Sequence, residues 1–312
     1  MVLVIKSGGE AAFADWQAAF AECAPHIDVR AWDDPTVPLD EVAYALVWEP
    51  TPGRLAAFPR LRAILSAAAG VDHILADPLL PAHLPIVRMV TPETGARMAE
   101  FLVFAALGLN RDLPSLIAAQ REASWQDQLT GRLAADTTVG IMGLGQLGSH
   151  AATRLAAAGF QVAGWARSEK SIAGVSCHAG AAGLAEFLGR TDILINLLPQ
   201  TDATRGIIDA AALARLRPGA SVINVGRGSH LDHAALLAAL DSGHLRAALL
   251  DVFAVEPLPA DDPLWRHPKV IVTPHIASTV SRRTRAQQAA RSIAADLAGA
   301  PLAHLYDRAA GY

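Results

Sequence analysis

Three polar residues stand where chemistry can be done. Arg227 lies in "NVGRGSH", Glu256 in "DVFAVEPL" and His275 in "VTPHIAS", and each follows an apolar run. A guanidinium can stabilise negative charge growing on a carbonyl oxygen. Preorganised charge of that kind contributes about 10²–10³ in rate. An imidazole, titrating near ~6.5 when free, can pass a proton to the same oxygen. A carboxylate that accepts a hydrogen bond from the ring holds it in place and favours its charged form. Together these suit reduction of a small 2-keto acid, in which hydride attacks the keto carbon. Taken singly, His275 could be a capping or core histidine and Glu256 a surface acid before Pro257.

Such chemistry needs a hydride donor, and "TVGIMGLGQLG" offers a place for one. Gly143, Gly145 and Gly148 have GxGxxG spacing between a β-like run and a helical run, the context that makes the motif informative. Gly143 permits a tight turn, Gly145 lets the backbone approach a pyrophosphate, and Gly148 lets helix and strand pack closely. Leu144, Gln146 and Leu147 complete the loop, whose N–H groups would bind the phosphates. An acid about 20 residues on would select NAD. The next strand ends "GWARSEK" instead, so Arg167 and Ser168 follow Trp165 and Ala166, with Lys170 beyond. A charge-assisted hydrogen bond contributes roughly 1.5–3 kcal/mol. One Arg would therefore favour the 2′-phosphate of NADP by about 10–100-fold.

These residues must be positioned by something. Short apolar runs alternate with Ala-rich helical segments along all 312 residues. The strands predicted are 2–5, 29–32, 44–48 and 63–66, then 138–142, 161–166, 193–197, 220–225, 247–252 and 270–273. This is the α/β class, with two doubly wound parallel-sheet domains. Arg227, Glu256 and His275 would then stand at the carboxyl ends of three strands, where open α/β sheets bind ligands. The apolar stretch 97–120 predicts one long helix, apolar nearly all round and so buried against a domain or a second subunit. Another helix is predicted over 282–298.

Composition narrows the class further. The chain is 52% hydrophobic and 18% charged, with a net charge of -4. That describes a globular protein and gives no reason to expect nucleic acid or an acidic membrane. Cys23 and Cys177 form no disulfide framework, which favours a reducing compartment, the cytoplasm. Cys177 beside His178 lacks the further ligands a zinc site needs, so no metal is expected.

The ordered series "VGIMGLGQLG", "LLPQTDATRGIID", "INVGRGSHLD", "ALLDVFAVEPLP" and "PKVIVTPHIAS" resembles the D-isomer-specific 2-hydroxyacid dehydrogenase family over nearly the full length. "ALVWEP" and "TPETGARMAEFLVFAAL" resemble its bacterial glyoxylate/hydroxypyruvate reductase branch. The resemblance implies a Rossmann-type cofactor domain, 101–284, and a flavodoxin-like substrate domain, 1–100 with 285–312. It implies catalysis by Arg227, Glu256 and His275. Asp251 would bind the nicotinamide carboxamide, and Leu198, Pro199, Thr204, Val225 and Gly226 would line the cofactor cleft. In similar proteins the loop Ala69-Gly70-Val71 binds the substrate carboxylate through backbone N–H groups, an anion nest. Trp48 would bound the pocket. NADPH, a small 2-keto acid and a homodimer are the implied partners. Glu256 argues against the formate type, which usually has Gln there. A dinucleotide-sensing binding protein of the same fold is the alternative from a different class.

Overall fold

The computed structural model describes residues 1–311. Contacts divide the chain into two compact units, Met1–Thr94 with Thr279–Tyr312, and Gly95–Ser278. The boundaries expected from sequence were 100/101 and 284/285.

The first unit contains β1 (Val2–Lys6), α1 (Phe13–Cys23), β2 (Asp28–Ala31), β3 (Val42–Val47), β4 (Ala63–Ser66), α2 (Asp72–Leu75) and β5 (Ile86–Val87). Its sheet has the order β2-β1-β3-β4-β5, with every pair parallel. Parallel strands covered on both faces must be apolar throughout rather than alternating. β1 ("VLVIK") and β4 ("AILS") are buried accordingly.

The second unit takes in most of α3 (Pro92–Asn110), followed by α4 (Leu113–Arg121), β6 (Thr138–Met142), α5 (Gln146–Ala157), β7 (Gln161–Ala166), β8 (Val175–Ala179), α6 (Gly180–Gly189), β9 (Ile193–Asn196), α7 (Ala210–Arg215), β10 (Ala220–Asn224), α8 (His233–Asp241), β11 (Leu245–Leu250) and β12 (Val270–Val272). Its parallel sheet runs β12-β11-β10-β9-β6-β7-β8. From β6 the chain builds outward through β7 on one side. It then returns to β9 on the other, which makes a topological switch point at β6/β9. The register places Met142, Asn196, Asn224, Leu250 and Val272 in one row. The loops that follow these residues therefore leave the sheet at a single edge.

The last helix, α9 (Arg282–Leu297), returns to the first unit. Ala286, Ala289 and Ile293 share a core with Trp16 and Phe20 of α1. Arg282 pairs with Asp15 at 2.8 Å, and Asp296 accepts from Arg62 and Tyr44.

The single helix expected over 97–120 is two helices, α3 and α4, bent by 66°. Pro114 has no N–H to offer the Asn110 carbonyl, which accepts from Arg132 N at 3.1 Å instead. Asp112 turns the corner with φ 58°. Nor is the stretch buried all round: Phe104 is 56% exposed, Leu107 39% and Leu116 38%. Two strands went unpredicted, β5, which is two residues long, and β8, whose "VSCHA" lacks an apolar run. No single helix among the described residues is long and apolar enough to cross a membrane.

Candidate active site

Arg227, Glu256 and His275 lie on the segments that follow β10, β11 and β12. His275 Nδ1 and Glu256 Oε2 lie 2.7 Å apart. Glu256 Oε1 accepts from Phe253 N at 2.8 Å, so each carboxylate oxygen has a fixed task. Burial alone would raise the Glu256 pKa. The hydrogen bonds from His275 and Phe253 and the charge of Arg227 outweigh it and hold the carboxyl below its ordinary value. Glu256 thus stabilises its loop at neutral pH. That contribution is lost only as pH falls through the depressed pKa.

His275 occupies the left-handed region, φ 53°, where a non-glycine residue is strained. Its N–H donates to Asp251 O at 2.8 Å and to Thr273 O at 3.1 Å. The Asp251 carboxylate, 1% exposed, completes the restraint. Oδ1 accepts from Thr273 Oγ1 at 2.6 Å and Ile276 N at 3.0 Å, and Oδ2 accepts from Ala277 N at 2.9 Å. Asp251, expected to meet the nicotinamide, also braces with its carboxylate the loop that carries His275.

Arg227 is held from beneath. Asn196, Asn224 and His230 are fully buried at the ends of β9 and β10 and just beyond. Asn224 Nδ2 donates to Arg227 O at 3.0 Å, and Asn224 Oδ1 accepts from Gly226 N at 3.2 Å and Asn196 Nδ2 at 2.8 Å. Asn196 Nδ2 also lies 2.9 Å from His230 Nδ1, while its Oδ1 accepts from Leu198 N at 3.2 Å. This network joins the loops containing Leu198 and Val225–Arg227. Sequence reasoning assigned Asn196 and His230 no role. The available signal was polar side chains ending otherwise apolar strands.

The glycine loop leaves β6 at the switch point. Gly143 has φ 103°, and a Cβ there would stand 2.8 Å from Leu197 O. A Cβ on Gly148 would lie 1.9 Å from Gly143 O, so α5 packs against the turn only with glycine at that position. At Gly145, by contrast, a Cβ would meet nothing within 4 Å. Open space before the first turn of α5, at a helix end with unsatisfied N–H groups, fits the diphosphate of a dinucleotide. Gln146 and Leu147 belong to that first turn, and Leu144 is buried in the core.

Trp165 packs in the core, and its indole N–H donates to Gly180 O at 2.8 Å. Its carbonyl accepts from Gly143 N at 2.8 Å, which ties β7 to the loop. Arg167 and Ser168 follow β7 and are exposed. Thr204 Oγ1 donates to Pro199 O at 2.8 Å and caps that turn. Cys177 and His178 lie on β8, where His178 Nδ1 is 3.8 Å from Glu186 Oε2.

In the first unit, the carbonyls of the loop after β4 are held by side chains. Arg88 Nε donates to Ala69 O at 2.9 Å, and Ser66 Oγ donates to Gly70 O at 2.9 Å. In a trans peptide the N–H opposes the C=O. The Gly70 and Val71 N–H groups therefore point away from these partners. Trp48 packs on His73 nearby, with ring centroids 4.3 Å apart.

Residues 103–277 match the family model described as "D-isomer specific 2-hydroxyacid dehydrogenase, NAD binding domain", and the chain belongs to that family. A glyoxylate/hydroxypyruvate reductase A of Salmonella heidelberg (strain SL476) is 42% identical over 303 residues, covering 95% of this chain and 96% of that protein. A crystal structure of a D-isomer specific 2-hydroxyacid dehydrogenase from Xanthobacter autotrophicus Py2, in complex with NADPH and MES, has a TM-score of 0.93 and 42% identity, covering 100% of this chain and 99% of the other. The NADPH-dependent glyoxylate/hydroxypyruvate reductase of Sinorhizobium meliloti, in complex with NADP and sulfate, has a TM-score of 0.92 and 40% identity, with the same coverage.

Proposed function

We propose that this chain reduces small 2-keto acids with NADPH, glyoxylate to glycolate and hydroxypyruvate to glycerate. The observation that carries the reading is the His275–Glu256 pair, 2.7 Å apart at the strand ends of a dinucleotide-type sheet. The relatives in Salmonella and Sinorhizobium bear the names of that activity. Reduced nicotinamide, when bound, supplies the hydride that adds to the keto carbon. Arg227 stabilises the oxygen on which charge develops. Nδ1 of His275 is held by Glu256, so the proton for that oxygen comes from Nε2. Keto acid, hydride and proton balance to the hydroxy acid, and the reverse reaction uses neutral His275 as base. The N–H groups of the loop Ala69-Gly70-Val71 receive the substrate carboxylate, and Trp48 bounds the space beside it. The first unit thus receives the substrate carboxylate, and the second holds the cofactor and the groups that act on the keto oxygen.

The cofactor is assigned to the loop Gly143–Gly148, the tip Trp165–Ser168, the segments Leu198–Pro199 and Val225–Gly226, Thr204 and Asp251. Mixing the protein with NADPH and glyoxylate or hydroxypyruvate tests the reaction. Absorbance at 340 nm falls if it occurs. Tight NADPH binding with no turnover on either acid means a sensor instead. Arg167→Ala is expected to weaken NADPH binding by about 10–100-fold and leave NADH binding unchanged, as read by cofactor fluorescence titration. Equal losses for both would remove Arg167 from the 2′-phosphate.

The exposed Phe104, Leu107 and Leu116 support a homodimer. Light scattering should then give about twice the chain mass. The two unbridged cysteines support a cytoplasmic location.

A further inference from the structure

We propose that His73 is the positioning residue of the substrate loop, fixing both the anion nest and the Trp48 wall. This rests on the proposed role of residues 69–71. The Glu49 backbone N–H donates to His73 Nδ1 at 3.1 Å, so Nδ1 is an acceptor and carries no proton. In this neutral ring the proton sits on Nε2, 3.3 Å from Ser66 Oγ. Ser66 Oγ also accepts from Ala68 N at 3.1 Å. With both its acceptor positions filled, the hydroxyl has one proton to place, and it goes to Gly70 O at 2.9 Å. The polarity of the whole relay is therefore set: Glu49 N–H to His73, His73 to Ser66, Ser66 to Gly70 O. The last bond turns the Gly70–Val71 peptide so that the Val71 N–H faces the other way.

The same ring supports Trp48 at 4.3 Å, inclined by 40°. Glu49, next in the chain, has φ 49°, a strained conformation for a side chain other than glycine. Its hydrogen bond to His73 holds that turn and so fixes how the chain leaves β3 at Trp48. Ser66 is fully buried, which makes a misplaced hydroxyl there costly. One imidazole thus joins the group that receives the carboxylate to the group that limits what the carboxylate may carry.

Two variants separate the two duties. His73→Phe keeps a ring under Trp48 and removes both hydrogen bonds. His73→Gln keeps a donor for Ser66 and removes the ring. For His73→Phe we expect KM for glyoxylate to rise about tenfold, with kcat and the NADPH dissociation constant within about twofold. His73→Gln should return KM for glyoxylate to within about threefold of wild type. It should also lose the discrimination between glyoxylate and bulkier 2-keto acids. A wild-type KM in His73→Phe overturns the proposal. So does a loss of NADPH binding or kcat equal to the change in KM. Calorimetry with oxalate on the NADPH complex repeats the comparison without turnover. A wild type that binds oxalate but reduces no keto acid sinks the proposed reaction, and the oxalate affinities of the two variants then decide the role of His73.

Discussion

His275→Ala will lower kcat by about 10²–10⁴-fold, while the NADPH dissociation constant stays within about twofold of wild type. The separation of effects follows from the placement of the ring. Its backbone is set by Asp251 O and Thr273 O, and its Nδ1 faces Glu256. None of these contacts belongs to the glycine loop or the tip of β7. Removing the imidazole takes away the proposed proton source and leaves Asp251 bonded to Thr273, Ile276 and Ala277. Stopped-flow reduction with excess NADPH, alongside a fluorescence titration of the cofactor, reads both quantities. A variant that turns over at the wild-type rate would mean that another group protonates the product. Lost NADPH binding would mean that His275 belongs to the cofactor site.

Arg227→Ala is expected to cost about 10²–10³ in kcat/KM. Arg227→Lys should recover part of the loss, since it restores charge without the planar fork of donors. A second signature distinguishes this from general damage. Arg227 is among the groups that hold the Glu256 carboxyl below its ordinary value. Without Arg227 that pKa moves up. The His275–Glu256 pair then fails at a higher pH as the solution is acidified, and the acid limb of the pH–rate profile shifts toward neutrality. A profile unchanged in Arg227→Ala would show that the guanidinium charge does not reach Glu256.

Much of the architecture was legible because buried parallel strands announce themselves as short apolar runs. "VLVIK", "TVGIM" and "ASVIN" are β1, β6 and β10 almost to the residue. β8 was missed because "VSCHA" is an edge strand, which need not be apolar on both faces. The break between α3 and α4 was missed for a different reason. Apolar periodicity continues across it, and the breaker inside the run, Pro114, was outweighed by that periodicity. Motif spacing singled out Arg227, Glu256 and His275, and the structure brings the last two into contact. The spacing could not indicate what holds them. The brace formed by Asn196, Asn224 and His230 comes from three places in the chain that only the sheet brings together. The Trp165 indole illustrates the same limit. Its position pointed to the cofactor, and nothing in the run "GWARSEK" indicated that its indole donates to Gly180 O or that its carbonyl accepts from Gly143 N.

The braces described for the loop 69–71, namely Ser66, His73 and Arg88, all belong to the same compact unit as the loop itself. Those described for Arg227 and His275 belong to the other unit. The proposed roles, selectivity and proton delivery, are thus separable targets for redesign. A recognition loop transplanted together with its own three supports should change which acid is accepted while the reducing machinery is inherited intact.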